Sequence, residues 1–175
     1  MSANYIAVVG PSGAGKDTLM RKAAEALPDI ELVRRVITRP AGDGSEDFEA
    51  VAETEFAARQ EQEAFILDWQ AHGLRYGIPR PARQGTHLVN LSRRILRQAA
   101  MALPGLSVIH VTATADVLAT RLAERGRETA KEIAARIARE AEFDPAGLQV
   151  VTVDNSGELD DAASAFIAAV KELIS

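Results

Sequence analysis

Gly10-Pro-Ser-Gly-Ala-Gly-Lys-Asp17 is the stretch that decides the reading of this chain. It follows an apolar run, Tyr5-Ile-Ala-Val-Val9, that reads as a buried strand. It opens a stretch with helical apolar spacing over residues 16–27, which Pro28 stops. The spacing matches G-x-x-x-x-G-K and departs only at the next position, where Ser or Thr is usual and Asp17 stands. Glycines let such a backbone curl until its N–H groups point inward around a phosphate. The helix start adds the positive end of its dipole, and the lysine reaches the β- and γ-phosphates. Gly10, Pro11, Ser12, Gly13, Ala14, Gly15, Lys16, Asp17 and Thr18 are therefore the expected nucleotide-binding residues. The expected ligand is ATP with Mg²⁺. Asp17 has two open readings. A carboxylate here can ligate Mg²⁺ directly or through water, or it can be a first-turn acid favoured by the helix dipole.

Outward from the loop, strands alternate with helices. Strands are expected over 30–37, 87–91, 106–112 and 148–153. Helices are expected over 93–103, capped by Ser92, over 115–125, over 129–143 with Thr129 and Glu132 as a capping box, and over 158–174, capped by Ser156. This alternation predicts an α/β fold with a parallel sheet covered on both faces. Residues 34–84 break the alternation. A loop over 38–47, a short helix over 54–63 and extended pieces over 64–69 and 72–78 suggest an inserted subdomain of short antiparallel strands.

The 175 residues fit one domain, which at this length buries roughly 70% of its unfolded surface. Hydrophobic residues at 47% and charged residues at 26% exclude a disordered chain. The absence of cysteine excludes disulfides, a zinc–thiolate site and a cysteine nucleophile, and suits a cytoplasmic location. No apolar run approaches the ~20 residues that span a bilayer, and no secretory signal opens the chain. A net charge of −5 argues against nucleic acid as a partner. Small-molecule substrates are expected instead. Yet 16 of the 20 basic residues are arginine, whose planar fork suits phosphate. The segment Arg121-Leu-Ala-Glu-Arg-Gly-Arg127 joins two expected helices, with Arg136 and Arg139 on the second. Such a hairpin can close over a triphosphate and bring Arg125 and Arg136 to a transferring phosphoryl group. Lys16, Arg125 and Arg136 are the expected catalytic residues.

The chain resembles the guanylate kinase family over nearly its whole length. The resemblance rests on Gly10–Thr18, Thr38-Arg39-Pro40, His72-Gly-Leu-Arg-Tyr-Gly77, Arg121-Leu-x-x-Arg-Gly126 and Asp154-Asn155. It implies a P-loop nucleoside-monophosphate-kinase-like fold, a three-layer arrangement with a small acceptor-binding subdomain and a helical lid. On that reading the core covers about 1–33 and 85–175, the acceptor insertion about 34–84 and the lid about 121–139. It further implies that Arg121 and Asn155 serve the nucleotide. The departures bear on the acceptor. Where that family recognises guanine with a Glu, a Ser or Thr, and an Asp, this chain has Gln70, Ile78 and Asn90. A site that loses a hydrogen-bonding group rejects the old ligand strongly.

A closer resemblance is to the ribose 1,5-bisphosphate phosphokinases of phosphonate breakdown. It rests on Lys16-Asp17-Thr18, Arg34-Arg-Val-Ile-Thr-Arg-Pro40, Glu46-Asp47, Trp69-Gln-Ala-His-Gly-Leu-Arg-Tyr-Gly-Ile-Pro79, Val89-Asn90 and Ser92-Arg93. It implies transfer of the γ-phosphoryl of ATP to ribose 1,5-bisphosphate, giving 5-phosphoribosyl 1-diphosphate. The acceptor oxygen is already ionised, so positioning and charge neutralisation suffice without a general base. Arg35, Arg39, Arg75, Tyr76 and Arg93 are the expected acceptor-side residues. For Arg35, Arg75 and Arg93 a solvated surface role is equally open. His72 and His87 read as packing residues, and Trp69 as a ligand stack or a core aromatic. The rivals are a kinase of the same fold with another acceptor, such as GMP, and a non-catalytic binding module. The intact loop argues against the module.

Overall fold

The computed structural model of the chain describes residues 3–42, 46–139 and 143–175. In chain order the elements are β1 (Asn4–Val9), α1 (Lys16–Ala26), β2 (Ile30–Leu32), β3 (Arg35–Ile37), β4 (Phe48–Ala50), α2 (Glu53–Glu61), β5 (Phe65–Ala71), β6 (Leu74–Pro79) and β7 (Thr86–Asn90). A 3₁₀ turn (Arg93–Ile95) then leads into α3 (Leu96–Ala102), β8 (Ser107–Thr112), α4 (Ala115–Glu124), α5 (Ala130–Arg139), β9 (Val150–Asp154) and α6 (Leu159–Ile174).

Five strands form a parallel sheet in the order β2-β7-β1-β8-β9. Alternation along β1 sends side chains to both faces. Ile6 and Val8 join Leu19 and Met20 of α1 and Phe166 and Val170 of α6. Tyr5, Ala7 and Val9 join Leu96 and Ala99 of α3 on the other face. Both faces are buried, so β1 reads as an unbroken apolar run rather than an alternating one. The chain leaves β1 toward β2 and β7 on one side, while β8 and β9 lie on the other. That makes β1 a switch point, and ligands in such sheets bind beyond the carboxyl ends of the strands.

A second sheet, β4-β3-β6-β5, is built from residues 35–79. Its β3–β6 and β5–β6 pairs are antiparallel, and β3–β4 is parallel. Leu67, Trp69 and Ile78 of this sheet pack on the α3 side of the main core.

Several sequence expectations need correction. The strand expected over 30–37 is two strands in different sheets, β2 and β3, because the chain crosses between sheets at residues 33–34. β4 lies beyond the loop expected over 38–47, of which residues 43–45 fall outside the described residues. His72 begins no strand. It and Gly73 have φ of 52° and 72° and form the two-residue turn between β5 and β6, where Ala71 faces Leu74. Two left-handed residues in succession match the twist of a tight hairpin. Ser156 does not cap α6, whose N-cap is Glu158. Its Oγ instead accepts from the Thr114 N–H at 2.8 Å and donates to Asp154 Oδ1 at 2.5 Å. The helix after Ser92 begins as a 3₁₀ turn. The capping box holds: Glu132 Oε2 accepts from the Thr129 N–H at 2.7 Å, and Thr129 Oγ1 from the Glu132 N–H at 3.3 Å. The expected end of that helix, 140–142, and the Arg139 side chain lie outside the described residues.

Candidate active site

The loop after β1 is held by its neighbours. Gly10 has φ of 151°, and a Cβ there would collide with the Val111 carbonyl of β8. Gly15 caps α1 with φ of 89°. A Cβ at Gly15 would stand 2.5 Å from the Asn155 amide nitrogen. Both positions therefore require glycine. The Asn155 side chain is buried and donates to the Ala14 carbonyl at 2.7 Å. Arg121 donates to the Asn155 carbonyl at 2.7 Å and to the Gly13 carbonyl at 3.2 Å. These two residues, expected to serve the nucleotide, brace the underside of the loop. The Lys16 ammonium donates to the carbonyls of Gly10 at 2.8 Å and Pro11 at 3.1 Å, folding across the loop.

A cleft of about 650 Å³ opens above this loop. Ser12, Gly13, Gly15, Lys16, Asp17 and Thr18 form one part of its lining. Arg125, Arg127 and Arg136 line it from the α4–α5 hairpin, and Arg35 and Arg39 from the second sheet and the loop after it. Among the described residues, five arginines and one lysine thus meet three acids, Asp17, Glu46 and Glu128. Arg136 is paired with Glu128 at 2.6 Å. Asp17 accepts from the Asn90 amide at 3.2 Å, so the loop acid and the end of β7 are side by side.

On the other wall Glu46 binds two guanidinium groups, Arg35 through Oε1 and Arg39 through Oε2, the latter at 3.1 Å. Arg39 lies 4.2 Å over the Phe48 ring, and Arg35 lies 5.7 Å from the Tyr76 ring. Tyr76 is stacked in turn on Trp69 at 5.1 Å. Burial pushes the Arg35 guanidinium down to about 10, against the opposing pull of the Asp17 carboxylate. Arg35 therefore remains a cation at neutral pH. A buried cation held in a fixed orientation is a strong partner for a phosphate dianion.

Not every expected residue reaches this cleft. Tyr76 sits behind Arg35. Arg75 turns toward α2, 4.7 Å from the Phe56 ring and 3.7 Å from Glu53. Arg93 lines a separate surface cleft of about 470 Å³ with Arg94, Arg97 and Phe143. Of the three positions that depart from guanine recognition, only Asn90 lines the main cleft, while Ile78 is fully buried and Gln70 exposed. His87 is buried against Tyr5, and Trp69 is a core aromatic. Sequence reasoning left Glu46, Phe48 and Glu128 without roles, and Arg127 out of the catalytic set. The signals for Glu46 were its place in the Glu46-Asp47 pair of the phosphokinase resemblance and its closeness in sequence to Arg34, Arg35 and Arg39.

Among the described residues no group of three or more His, Cys, Asp or Glu could hold a metal unaided. Nor, among them, is any helix long and apolar enough to cross a membrane.

No family model matches the chain. It is 45% identical to the ribose 1,5-bisphosphate phosphokinase PhnN of Brucella melitensis over 177 aligned positions, covering 97% of this chain and 92% of that one. It is 53% identical to the protein of the same name from Ruegeria sp., covering 90% and 86% respectively. Among solved structures, guanylate kinase from Anaplasma phagocytophilum superposes with a TM-score of 0.64 at 17% identity, covering 98% of this chain and 86% of that one. That likeness establishes the fold: a P-loop kinase core with a parallel sheet.

Proposed function

This chain belongs to the ribose 1,5-bisphosphate phosphokinase family, and on that premise we propose that it transfers the γ-phosphoryl group of ATP to the 1-phosphate of ribose 1,5-bisphosphate. The product is 5-phospho-α-D-ribose 1-diphosphate, and the setting is phosphonate breakdown in the cytoplasm. The observation that carries the reading is one cleft containing a phosphate-binding loop, three hairpin arginines and a separate arginine pair. Such a site can hold two phosphorylated ligands at once.

A phosphate oxygen of the acceptor forms the new P–O bond while the bond between the β-bridging oxygen and the γ-phosphorus breaks, and ADP leaves. The chain supplies positioning and positive charge for this transfer. The N–H groups of residues 12–18 and the start of α1 receive the donor phosphates. Lys16 exchanges its loop carbonyls for phosphate oxygens. Arg125, Arg127 and Arg136 neutralise charge as it spreads over the transferring group, with Arg136 leaving Glu128 to do so. Arg35 and Arg39 hold the acceptor. Arg121 and Asn155 fix the loop. Residues 34–84 act as the acceptor-binding insertion and 121–139 as the lid. The donor set fits Mg²⁺, which takes one or two carboxylates and completes its shell with phosphates and water. Asp17 and Thr18 are the side chains that would hold it, and the ion would supply positive charge against the donor phosphates.

A panel of acceptors tests this reading. With ATP and Mg²⁺, ribose 1,5-bisphosphate should release ADP, and GMP should not do so at a comparable kcat/KM. Turnover of GMP at the same efficiency would reverse the assignment.

A further inference from the structure

We infer that Thr38 is a positioning residue for the acceptor side: its hydroxyl stands in for its own carbonyl in the sheet, and the turn this permits delivers Arg39 to the cleft. The inference rests on the kinase reading above, in which Arg35 and Arg39 hold the acceptor, and gives a role to a residue that reading leaves idle. β3 and β6 run antiparallel with Val36 opposite Gly77 and Ile37 opposite Tyr76, so Thr38 stands opposite Arg75. In a regular antiparallel ladder, every second opposed pair exchanges two N–H···O bonds between main chains. The Thr38 N–H makes its half of that exchange, donating to the Arg75 carbonyl at 3.0 Å. The other half is made by a side chain: the Arg75 N–H donates to Thr38 Oγ1 at 2.9 Å.

The substitution of hydroxyl for carbonyl falls where the chain changes direction. β3 ends at Ile37, and the backbone bends at Thr38 and Arg39. With the hydroxyl as acceptor, the chain turns out of the sheet while the Arg75 N–H stays paired. Pro40 follows and keeps Arg39 out of the helical region, so the bend does not wind on into a helical turn. The partner strand is anchored at this point. The Arg75 guanidinium lies 4.7 Å from the Phe56 ring of α2, pairs with Glu53 and donates to Gln60. Arg75, expected to touch the acceptor, thus serves through its backbone. Past the bend, Arg39 lies 4.2 Å over the Phe48 ring, donates to Glu46 at 3.1 Å and lines the cleft with Arg35.

The test compares Thr38→Val, which keeps the shape and loses the acceptor, with Thr38→Ser, which keeps the hydroxyl. Thermal melting verifies folding, and Thr38→Ala carries the same expectations if Thr38→Val does not fold. Arg39 is read first, without substrate, by the NMR signal of its Nε–H group, assigned through its loss in Arg39→Lys. The Phe48 ring shifts that signal. It should move toward the position of a free arginine in Thr38→Val and stay in place in Thr38→Ser. Turnover with ATP and Mg²⁺ is read second. The KM for ribose 1,5-bisphosphate should rise about three- to tenfold in Thr38→Val, the worth of one hydrogen bond. The KM for ATP should not change, and Thr38→Ser should keep both wild-type values. In an Arg39→Ala background, Thr38→Val should add nothing to the acceptor KM, because the residue it positions is gone. An unmoved Arg39 signal or an unchanged acceptor KM would overturn the proposal. So would equal rises in both KM values, or a Thr38→Ser variant that behaves like Thr38→Val. Absence of wild-type turnover would sink the functional reading, while the Arg39 signal still decides the Thr38 assignment.

Discussion

Gly15→Ala should damage the enzyme through a contact with the far end of the chain. Gly15 has φ of 89°, a conformation costing an alanine about 1–2 kcal/mol. The new methyl would stand 2.5 Å from the Asn155 amide nitrogen, so the amide must leave the Ala14 carbonyl. Leaving a buried hydrogen-bonding group unpaired costs about 1–3 kcal/mol. The sum, about 2–5 kcal/mol, is a large part of the ~5–15 kcal/mol that stabilises an ordinary domain. Asn155→Ala alone should cost only the second term, about 1–3 kcal/mol. In the double variant the methyl has no amide to displace, so that term is counted once. The double should thus be more stable than the sum of the singles by about 1–3 kcal/mol. Urea denaturation of the wild type and the three variants completes the cycle. Additive effects would show that Asn155 does not brace the loop, and the account of Arg121 and Asn155 as its supports would fall with it.

Lys16→Ala should lower phosphoryl transfer by about a hundred- to a thousandfold, as losing a preorganised stabilising group does. Its melting temperature should change far less than the rate, because Lys16 donates to two part-buried loop carbonyls rather than packing in the core; full activity would refute its role. Asp17→Asn should raise the Mg²⁺ concentration needed for half-maximal rate and reduce kcat. Without metal, ATP affinity should be unchanged or tighter, measured by equilibrium titration. Burial, aided by the charges of Arg93 and Lys16, holds the His110 imidazole below its ordinary value of 6.5. The unfolded chain therefore binds more protons than the folded one as pH falls through that range, and stability drops with it. The drop is absent at higher pH, where His110 is neutral in both states. Denaturation curves at several pH values should show it, and His110→Asn should reduce it.

The main sheet was legible because its strands carry apolar runs ended by glycine, proline or helix caps, as at residues 5–9 and 106–112. The division between β2 and β3 was not. Residues 30–37 keep a strand-like composition through the crossing, and only tertiary pairing assigns each half to its sheet. Ser156 had the residue type of a cap, but its hydroxyl is committed to Asp154 and the Thr114 N–H, a partnership across 42 residues. The strand–loop–helix turn around Gly10–Lys16 was legible, since Gly10 and Gly15 stand where the backbone has no room for a side chain. The acceptor wall was less so. Arg34 precedes β3, Arg35 lies on it, Arg39 follows it in a loop and Arg75 lies on β6, and only the tertiary arrangement of these segments decides which of them enters the cleft. Arg75 went to α2 because Phe56, Gln60 and Glu53 offer its guanidinium a stack and polar partners. Glu46 was quoted in the resemblance, but its pairing with both arginines is seen only in the folded chain.

The most direct measurement follows the phosphorus atom. ATP labelled in its γ-phosphate is incubated with the enzyme, Mg²⁺ and ribose 1,5-bisphosphate, and the products are resolved by phosphorus NMR. The label should appear in the terminal phosphate of 5-phospho-α-D-ribose 1-diphosphate, with one ADP formed for each labelled product. Label recovered only as inorganic phosphate, or in ATP left unchanged, would contradict the assignment.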